Sequence, residues 1–220
     1  MERVLKLWNR YNTTFISGLF GTLWISALTV FFGTLLGIVV ALLRMSKSKL
    51  LNKITIIYIE ILRGTPILVQ LYFFWLGLPK LVPFELSDMQ CILVALCINA
   101  SAYIAEIIRA GINAVDKGQW EAARSIGLRE SYIMSKVIMP QAVKNILPAL
   151  CNEFISTVKG TSLASVFFVN ELTTSYKTVS SATFLPLQSL IIVAFIYFVL
   201  NFTLSKLLIL IERRLMVSDR

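Results

Sequence analysis

Long apolar runs alternate with short polar connections along all 220 residues of the chain. A helix needs about 20 apolar residues to cross the ~30 Å hydrocarbon core of a membrane. Five runs reach that length, and the first of them contains no charged residue. The pattern therefore predicts an all-α, polytopic membrane protein with five transmembrane helices. The predicted spans are 15–43, 54–78, 89–114, 146–169 and 187–211.

These spans belong to a single predicted transmembrane domain, residues 15–213, between a segment of residues 1–14 and a tail of residues 214–220. The composition agrees, since 57% of residues are hydrophobic and 15% are charged, against about 25% charged in soluble domains. The chain has no histidine, which excludes a Ser-His-Asp triad, an HExxH zinc site and a histidine-held haem. Its three separate cysteines form no zinc-ligand pattern, so we expect no bound metal.

The lysine and arginine residues of the connections predict the orientation, because such residues accumulate on the cytoplasmic side. Fourteen of the 21 cations fall on one side of the predicted spans and five on the other. The N-terminus belongs to the side with five, so we expect it outside the cell and the C-terminus in the cytoplasm. The basic first ten residues argue against this orientation but are outnumbered. This topology accounts for much of the net charge of +9, and no nucleic-acid partner is implied.

The longest polar connection, residues 115–144, has a pattern of its own. After Gly118 a run of good helix formers predicts a short helix, and Gly127 permits a sharp turn or a left-handed cap. A second amphipathic stretch, 128–139, is expected to end at Pro140. We interpret the loop as a rigid knuckle on the membrane surface. The simpler alternative is a surface helix that only packs on its own bundle.

This loop resembles the EAA signature of permeases from binding-protein-dependent ABC importers. The signature is Glu-Ala-Ala, three residues, glycine, nine residues, then two aliphatic positions separated by one residue, and proline. The resemblance implies a cytoplasmic coupling helix that docks in a groove on a cytosolic ATPase. The chain has no G-x-x-x-x-G-K-[ST] phosphate loop, so we expect no catalytic residue and no cofactor here, with ATP and Mg²⁺ on the partner ATPase. The matching positions are Glu121, Ala122, Ala123, Gly127, Val137, Met139 and Pro140.

A narrower resemblance, to permeases for polar amino acids, covers residues 15–213 and is carried by the segments 61–75, 99–115, 117–128 and 152–166. It implies an ATP-driven importer of a polar amino acid in the bacterial plasma membrane, with five spans and an external N-terminus. It also implies four kinds of contact: a second permease subunit, identical or closely related, two ATPase subunits, an extracytoplasmic amino-acid-binding protein, and membrane lipid.

Charged residues inside the spans are candidates for the substrate pathway, since each costs about 2.5–3.5 kcal/mol on insertion scales. Glu60 and Arg63 share a helix face, and Glu153 has no cation three or four residues away. Helix breaks are predicted at 64–66 and at Gly160, and such breaks expose backbone groups that can bind a zwitterion. The candidate pathway residues are Glu60, Arg63, Thr65, Gln70, Asn99, Tyr103, Glu153, Lys159, Gly160, Thr161 and Ser162.

Within this set we expect Glu153 to contact the ammonium group of the ligand, and Lys159, Thr161 or a free backbone N–H to contact its carboxylate. Which of Glu60 and Glu153 contacts the ligand stays open. Gly160 stands where permeases of this group commonly have aspartate, which argues weakly against lysine or arginine as substrate.

The structural alternative is that, within each of two charge pairs, the glutamate and the arginine only neutralise each other. Glu60–Arg63 and Glu106–Arg109 are both spaced for a local ion pair, and this interpretation is favoured for the second pair. Two functional alternatives also stay open. One is a channel or secondary carrier for a small polar solute that needs no ATPase, and the other is an intramembrane Ser-Lys hydrolase.

Overall fold

The computed structural model describes residues 2–217, with side chains through residue 213 apart from residue 211. The predicted tail, 214–220, thus lies outside the described side chains. Every regular element in this range is a helix, as the apolar pattern predicts. The elements are α1 (Glu2–Arg44), α2 (Lys49–Gly64), α3 (Ile67–Leu81), α4 (Asp88–Asn113), α5 (Lys117–Ser125), α6 (Glu130–Tyr132), a π-helix (Ile133–Ile138), α7 (Met139–Gly160), a 3₁₀-helix (Thr161–Phe167), α8 (Leu172–Thr183) and α9 (Pro186–Val217).

Helices α1, α4 and α9 are each long and apolar enough to cross a membrane. Helices α2 and α3 meet this requirement together, although they are bent by 108° relative to each other. By length and composition, the described part of the chain therefore has three spans, or four if the bent pair counts as one. The fourth predicted span corresponds to α7, in which Lys144, Glu153 and Lys159 lower the mean hydropathy.

Both predicted helix breaks are present. Helix α2 ends at Gly64, and the backbone is extended at Thr65 (φ −115°, ψ 145°) and Pro66 (φ −60°, ψ 133°). Helix α7 ends at Gly160 and continues as the 3₁₀-helix, which Phe168 closes in a left-handed conformation (φ 53°). A proline at the first break removes a backbone donor and clashes with the preceding turn, so the helix cannot run straight through.

Helix α1 is longer than the apolar pattern predicts, because it begins at Glu2 rather than at residue 15. The polar first turns are helical and include an ion pair between Lys6 and Glu2 at 2.6 Å, with the spacing that favours helix. The backbone leaves helical geometry at Tyr11 (φ −124°, ψ 15°), where the segment meets the apolar span. Most of the predicted segment 1–14 is therefore helix.

Helices α1 and α4 approach each other closely along a pair of glycines. A methyl group added at Gly33 would lie 2.9 Å from Cβ of Ala100, and one added at Gly37 would lie 2.8 Å from Cγ2 of Ile104. The two glycines are four residues apart, the spacing that lets membrane helices pack with their backbones near each other. This contact holds α4, which carries Asn99 and Tyr103, against the first span.

Helix α8 is held between α1 and α9 by a buried carboxylate. Glu171 has no exposed surface and caps the helix by accepting hydrogen bonds from the N–H groups of Thr173 (2.7 Å) and Thr174 (2.5 Å). The hydroxyl of Tyr197 on α9 donates to the same carboxylate at 3.1 Å. On the other side, the N–H of Leu172 donates to Oγ1 of Thr22 on α1 at 3.1 Å. Helix α8 is thus fixed at the end of α7 remote from the polar loop.

The loop before α7 follows the prediction in its first half only. Helix α5 forms, and Gly127 has the left-handed conformation expected of a cap (φ 77°). The second helix does not end at Pro140, so that prediction is wrong. Helix α6 widens into the π-helix and runs directly into α7, whose first turn contains Pro140. The N–H of Met139 bonds to the carbonyl of Met134, five residues back, so Pro140 directly follows the wider π turn.

Candidate translocation site and coupling loop

A cavity of about 360 Å³ lies where α1, α4 and α7 meet the break between α2 and α3. Its volume falls in the range of small-molecule sites, which combine apolar walls with a few polar groups. The fold brings five of the predicted pathway residues to this cavity, although they come from three separate stretches of sequence. They are Thr65, Asn99, Tyr103, Glu153 and Gly160.

Several cavity residues were not identified from the sequence. Ser156 and Thr157 lie within one helical turn of Glu153 and Gly160, so helical spacing alone could have found them. Thr29 lies in an uncharged apolar run and carried no comparable signal. The cavity residues outside the predicted set are Thr29, Pro66, Ile67, Leu96, Ala100, Ser156 and Thr157.

Several polar side-chain atoms in the cavity wall, including Oγ1 of Thr29, Oδ1 of Asn99 and the Glu153 carboxylate, make no hydrogen bond with a described residue. Oγ1 of Thr29 is buried without a hydrogen bond, on a residue that is 1% exposed. Glu153 makes no ion pair and no hydrogen bond in the described part of the chain, and Oδ1 of Asn99 accepts none there. A buried polar atom is normally paired, so Oγ1 of Thr29 is available to a ligand. The Glu153 carboxylate and Oδ1 of Asn99 are likewise free to accept hydrogen bonds from an ammonium group.

Gln70 lies next to the cavity but does not line it. Its side chain is 7% exposed and donates to the carbonyl oxygens of Leu62 (2.8 Å) and Thr65 (3.1 Å) at the helix break. Thr161 and Ser162 are also outside the cavity. Their hydroxyls donate to carbonyls within the same turn, Thr161 to Val158 at 2.8 Å and Ser162 to Lys159 at 2.7 Å.

The local ion pair considered for Glu60 and Arg63 does not form, so that alternative is wrong. Arg63 instead approaches Glu106 of α4, with Nη1 3.9 Å from Oε2, and its guanidinium lies 5.4 Å from the ring centroid of Tyr103. Glu106 binds Arg109 at 2.8–3.2 Å, as favoured for that pair. The partner of Arg63 was not predictable from spacing, because it is on another helix. Glu60 and Lys159 are exposed and lie outside the cavity.

The loop predicted to couple with an ATPase exposes most of its signature residues. Glu121, Ala122, Gly127 and Pro140 are exposed, whereas Ala123 is buried in the apolar cluster beneath the loop. Ile126 is 75% exposed at the tip.

An ion pair closes the loop behind that tip. Nε of Arg124 lies 2.7 Å from Oε1 of Glu130, and the guanidinium also lies 5.7 Å from the ring centroid of Trp120. The hydrogen bond from Arg124 holds the pKa of the Glu130 carboxyl below its ordinary value, so the pair is charged at neutral pH. The pair bridges the left-handed turn at Gly127 and joins α5 to α6.

Residues 33–217 match the family described as binding-protein-dependent transport system inner membrane component. The chain belongs to this family. An arginine transport system permease protein from Bacillus subtilis is 38% identical to it, over 93% of this chain and 93% of the relative. A putative glutamine transport system permease protein from Rickettsia bellii is 36% identical, over 92% and 93%. These relatives confirm the family inferred from the EAA loop and the amino-acid permease segments.

Solved structures agree with the fold. The chain of an amino acid ABC transporter crystallised with histidines is 47% identical, with a TM-score of 0.90, over 93% of this permease and 95% of that chain. The methionine ABC transporter in an inward-facing crystal form matches with a TM-score of 0.71 at 19% identity, over 90% and 96%, a likeness in fold alone. As an inner-membrane permease of a binding-protein-dependent ABC system, the chain works with a binding protein and with separate subunits that carry the ATPase activity.

Proposed function

We propose that this permease passes a polar amino acid through the cavity between α1, α4, α7 and the α2–α3 break. The observation that carries the proposal is the set of unpaired polar atoms there: the Glu153 carboxylate, Oδ1 of Asn99 and Oγ1 of Thr29. The oxygens of Glu153 and Asn99 can accept hydrogen bonds from the ammonium group of an amino acid. The hydroxyl of Thr29 can donate to its carboxylate. A zwitterion therefore finds partners for both of its charges in one cavity. Relatives named for glutamine, arginine and cystine transport support this substrate class.

Five spans follow if the bent pair α2–α3 counts as one span and α7 also crosses the membrane. Its 22 residues extend about 33 Å at 1.5 Å per residue, which matches the hydrocarbon core. Helix α7 packs against α4 and α9, and Asn152 and Lys159 on its remaining surface are exposed, so they need cover from another subunit or from water. With the EAA loop on the ATPase side, α4 ends and α7 begins in the cytoplasm. Counting spans outward from this loop supports an external N-terminus and a cytoplasmic C-terminus.

The complex we propose contains two such permeases, two ATPase subunits that bind ATP and Mg²⁺, and a binding protein for the amino acid. The exposed polar residues of the membrane helices support a second permease subunit. Glu60, Arg63, Asn152 and Lys159 are all exposed, and groups of this kind are costly against lipid. A partner subunit or a water-filled passage between the two subunits would shield them. In this arrangement the ATPase contacts the EAA loop at Glu121, Gly127 and Ile126. The loop transmits the closing of the two ATPase subunits to the membrane helices.

The substrate is expected to be neutral rather than cationic at its side chain. Gly160 lines the cavity at the position where related permeases commonly have aspartate, and a glycine offers no charge to a second ammonium or a guanidinium. Glu153 is then matched by the α-ammonium group alone.

The decisive experiment reconstitutes the permease with its ATPase and binding protein in vesicles, and first screens amino acids against the binding protein by thermal shift. We expect an amino acid to stabilise the binding protein and to accumulate in the vesicles only with ATP. A vesicle lacking the ATPase is the control. Flux of the same amino acid without ATP would identify a channel or secondary carrier instead, and a binding protein that responds only to sugars or peptides would exclude the substrate class.

A further inference from the structure

The corner between α2 and α3 leaves the Leu62 carbonyl without its usual donor. In an α-helix the carbonyl of residue 62 accepts from the N–H of residue 66. Residue 66 is proline and has no N–H. Inside a membrane there is little water to replace that donor, so the Leu62 carbonyl needs another partner.

Two side-chain amides supply the replacement. Nε2 of Gln70 donates to the Leu62 carbonyl at 2.8 Å, and Nδ2 of Asn99 donates to the same oxygen at 3.3 Å. The amides also bind each other, with Nδ2 of Asn99 2.9 Å from Oε1 of Gln70. Nε2 of Gln70 reaches Oγ1 of Thr65 at 2.8 Å as well. One residue from α3 and one from α4 thus hold the corner of α2.

The same pair connects this corner to the cavity. Thr65 and Pro66, which form the corner, line the cavity, and so does Asn99. Both N–H groups of Asn99 are used at the corner, whereas its Oδ1 accepts no hydrogen bond from a described residue. Asn99 can therefore hold the corner with one end and contact a ligand with the other.

We propose that Gln70 and Asn99 are positioning residues that fix the 108° corner and thereby keep Thr65 and Pro66 in place as a wall of the cavity. This inference rests on the proposed function, in which that cavity carries the amino acid. Without the amides, α3 is free to change its angle to α2, and the cavity loses this wall. ATP hydrolysis then continues while less substrate is moved in each cycle.

The test uses Gln70, because it does not line the cavity and so does not contact the ligand. In the reconstituted complex with ATPase and binding protein, we expect Gln70→Leu to lower the amount of amino acid transported per ATP about tenfold, as expected when a buried carbonyl loses its donor. The basal ATPase rate should stay unchanged. Hydrogen exchange should rise at residues 61–70 and not in the EAA loop. Gln188→Leu on α9 is the matched control, and it should behave as wild type.

Transport per ATP equal to that of the wild type in Gln70→Leu would overturn the positioning role. If Gln70→Leu fails to insert, Gln70→Glu keeps the side-chain volume and removes the donor, and the same comparison applies. Adding Gln70→Leu to Asn99→Leu should lower transport per ATP little further, because both amides act on one carbonyl, whereas Asn99→Leu also removes a ligand contact. A full additional loss from Gln70→Leu in that background would contradict a shared role. Failure of the proposed function appears differently, as absence of ATP-driven amino-acid uptake in the wild type itself.

Discussion

Identical side chains on this permease have different roles according to what surrounds them. Glu106 and Glu153 are both glutamates on apolar helices, but Glu106 binds Arg109 and approaches Arg63. Glu153 lines the cavity and has no partner among the described residues. The charge of Glu106 is therefore already balanced within the protein, whereas that of Glu153 is available to a ligand.

We expect Glu153→Gln to weaken amino-acid uptake about 10- to 100-fold, the worth of one charge-assisted hydrogen bond. The substitution keeps the side-chain volume, so the melting temperature of the complex should change little. Glu106→Gln is the control. It should lower the melting temperature more than Glu153→Gln does, and it should weaken uptake less. Uptake that is more sensitive to Glu106→Gln would overturn the assignment of the substrate carboxylate.

The turn of the EAA loop depends on the left-handed backbone of Gly127. A Cβ added there meets nothing within 4 Å, so its effect is confined to backbone strain (φ 77°). We expect Gly127→Ala to cost about 1–2 kcal/mol of loop stability and to reduce ATP-coupled uptake, while Gly127→Pro abolishes it. Gly77→Ala is the matched control, also in open space but helical, and should be neutral or stabilise by about 0.5–1 kcal/mol. Uptake unchanged in Gly127→Pro would argue against a coupling role for the turn.

At the scale of elements, two kinds of local sequence decide the architecture. Breaks occur where proline or glycine interrupts an apolar helix, as at Pro66 and Gly160. Close packing occurs where small residues recur with helical spacing, as on the face of α1 that meets α4. The breaks expose polar backbone and the close packing holds α4 in register beside them. Together they bring Thr29 of α1 and Asn99 of α4 to the same cavity.

A larger side chain in the contact between α1 and α4 should disturb the cavity, although Gly33 does not line it. We expect Gly33→Val to destabilise the permease by about 1–3 kcal/mol, because the added atoms overlap Ala100. Substrate affinity should fall as well, since α4 carries Asn99. The thermal stability of the purified complex and uptake in vesicles measure the two effects. Gly77→Val, where an added Cβ meets nothing within 4 Å, controls for the change of residue type. Equal stability of the two variants would show that the close approach is not needed.

At the scale of the whole molecule, the coupling loop and α8 lie at opposite ends of α7. A liganded binding protein and an ATPase act on opposite membrane faces, so a connection between the two ends is needed. Two sets of contacts lie between these ends. Arg63 contacts Tyr103 at the cavity and Glu106 nearer the loop, while Lys177 of α8 donates to the carbonyl of Ser165 in the 3₁₀-helix at 2.9 Å.

The orientation can be measured with single cysteines. In a chain whose native cysteines are replaced by alanine, we expect Ser125→Cys in the EAA loop to react with an impermeant maleimide only from the cytoplasmic face. Thr178→Cys on α8 should react only from outside. Both positions are exposed, so a failure to label reflects the membrane barrier rather than burial. Labelling with the opposite sidedness would invert the topology.

The sequence alone determined the helices, their breaks and the family, because these depend on local properties. Apolar length sets a membrane helix, proline and glycine interrupt it, and the EAA spacing lies within one loop. Prediction was less successful where the extent of a helix was not set by the local pattern. Helix α1 begins in the polar segment before the apolar run that was predicted as the span. The helix at Pro140 continues past the proline that was expected to end it.

Only the tertiary structure decided which polar residues meet. Sequence spacing paired Glu60 with Arg63, but Arg63 approaches Glu106 on another helix. Gln70 was grouped with the pathway residues, and it instead binds the carbonyl that Pro66 leaves without a donor. Thr29 gave no signal and lines the cavity. A hydrogen bond or ion pair depends on a few ångströms between helices, and that separation is set by how the helices pack rather than by any pattern along one of them.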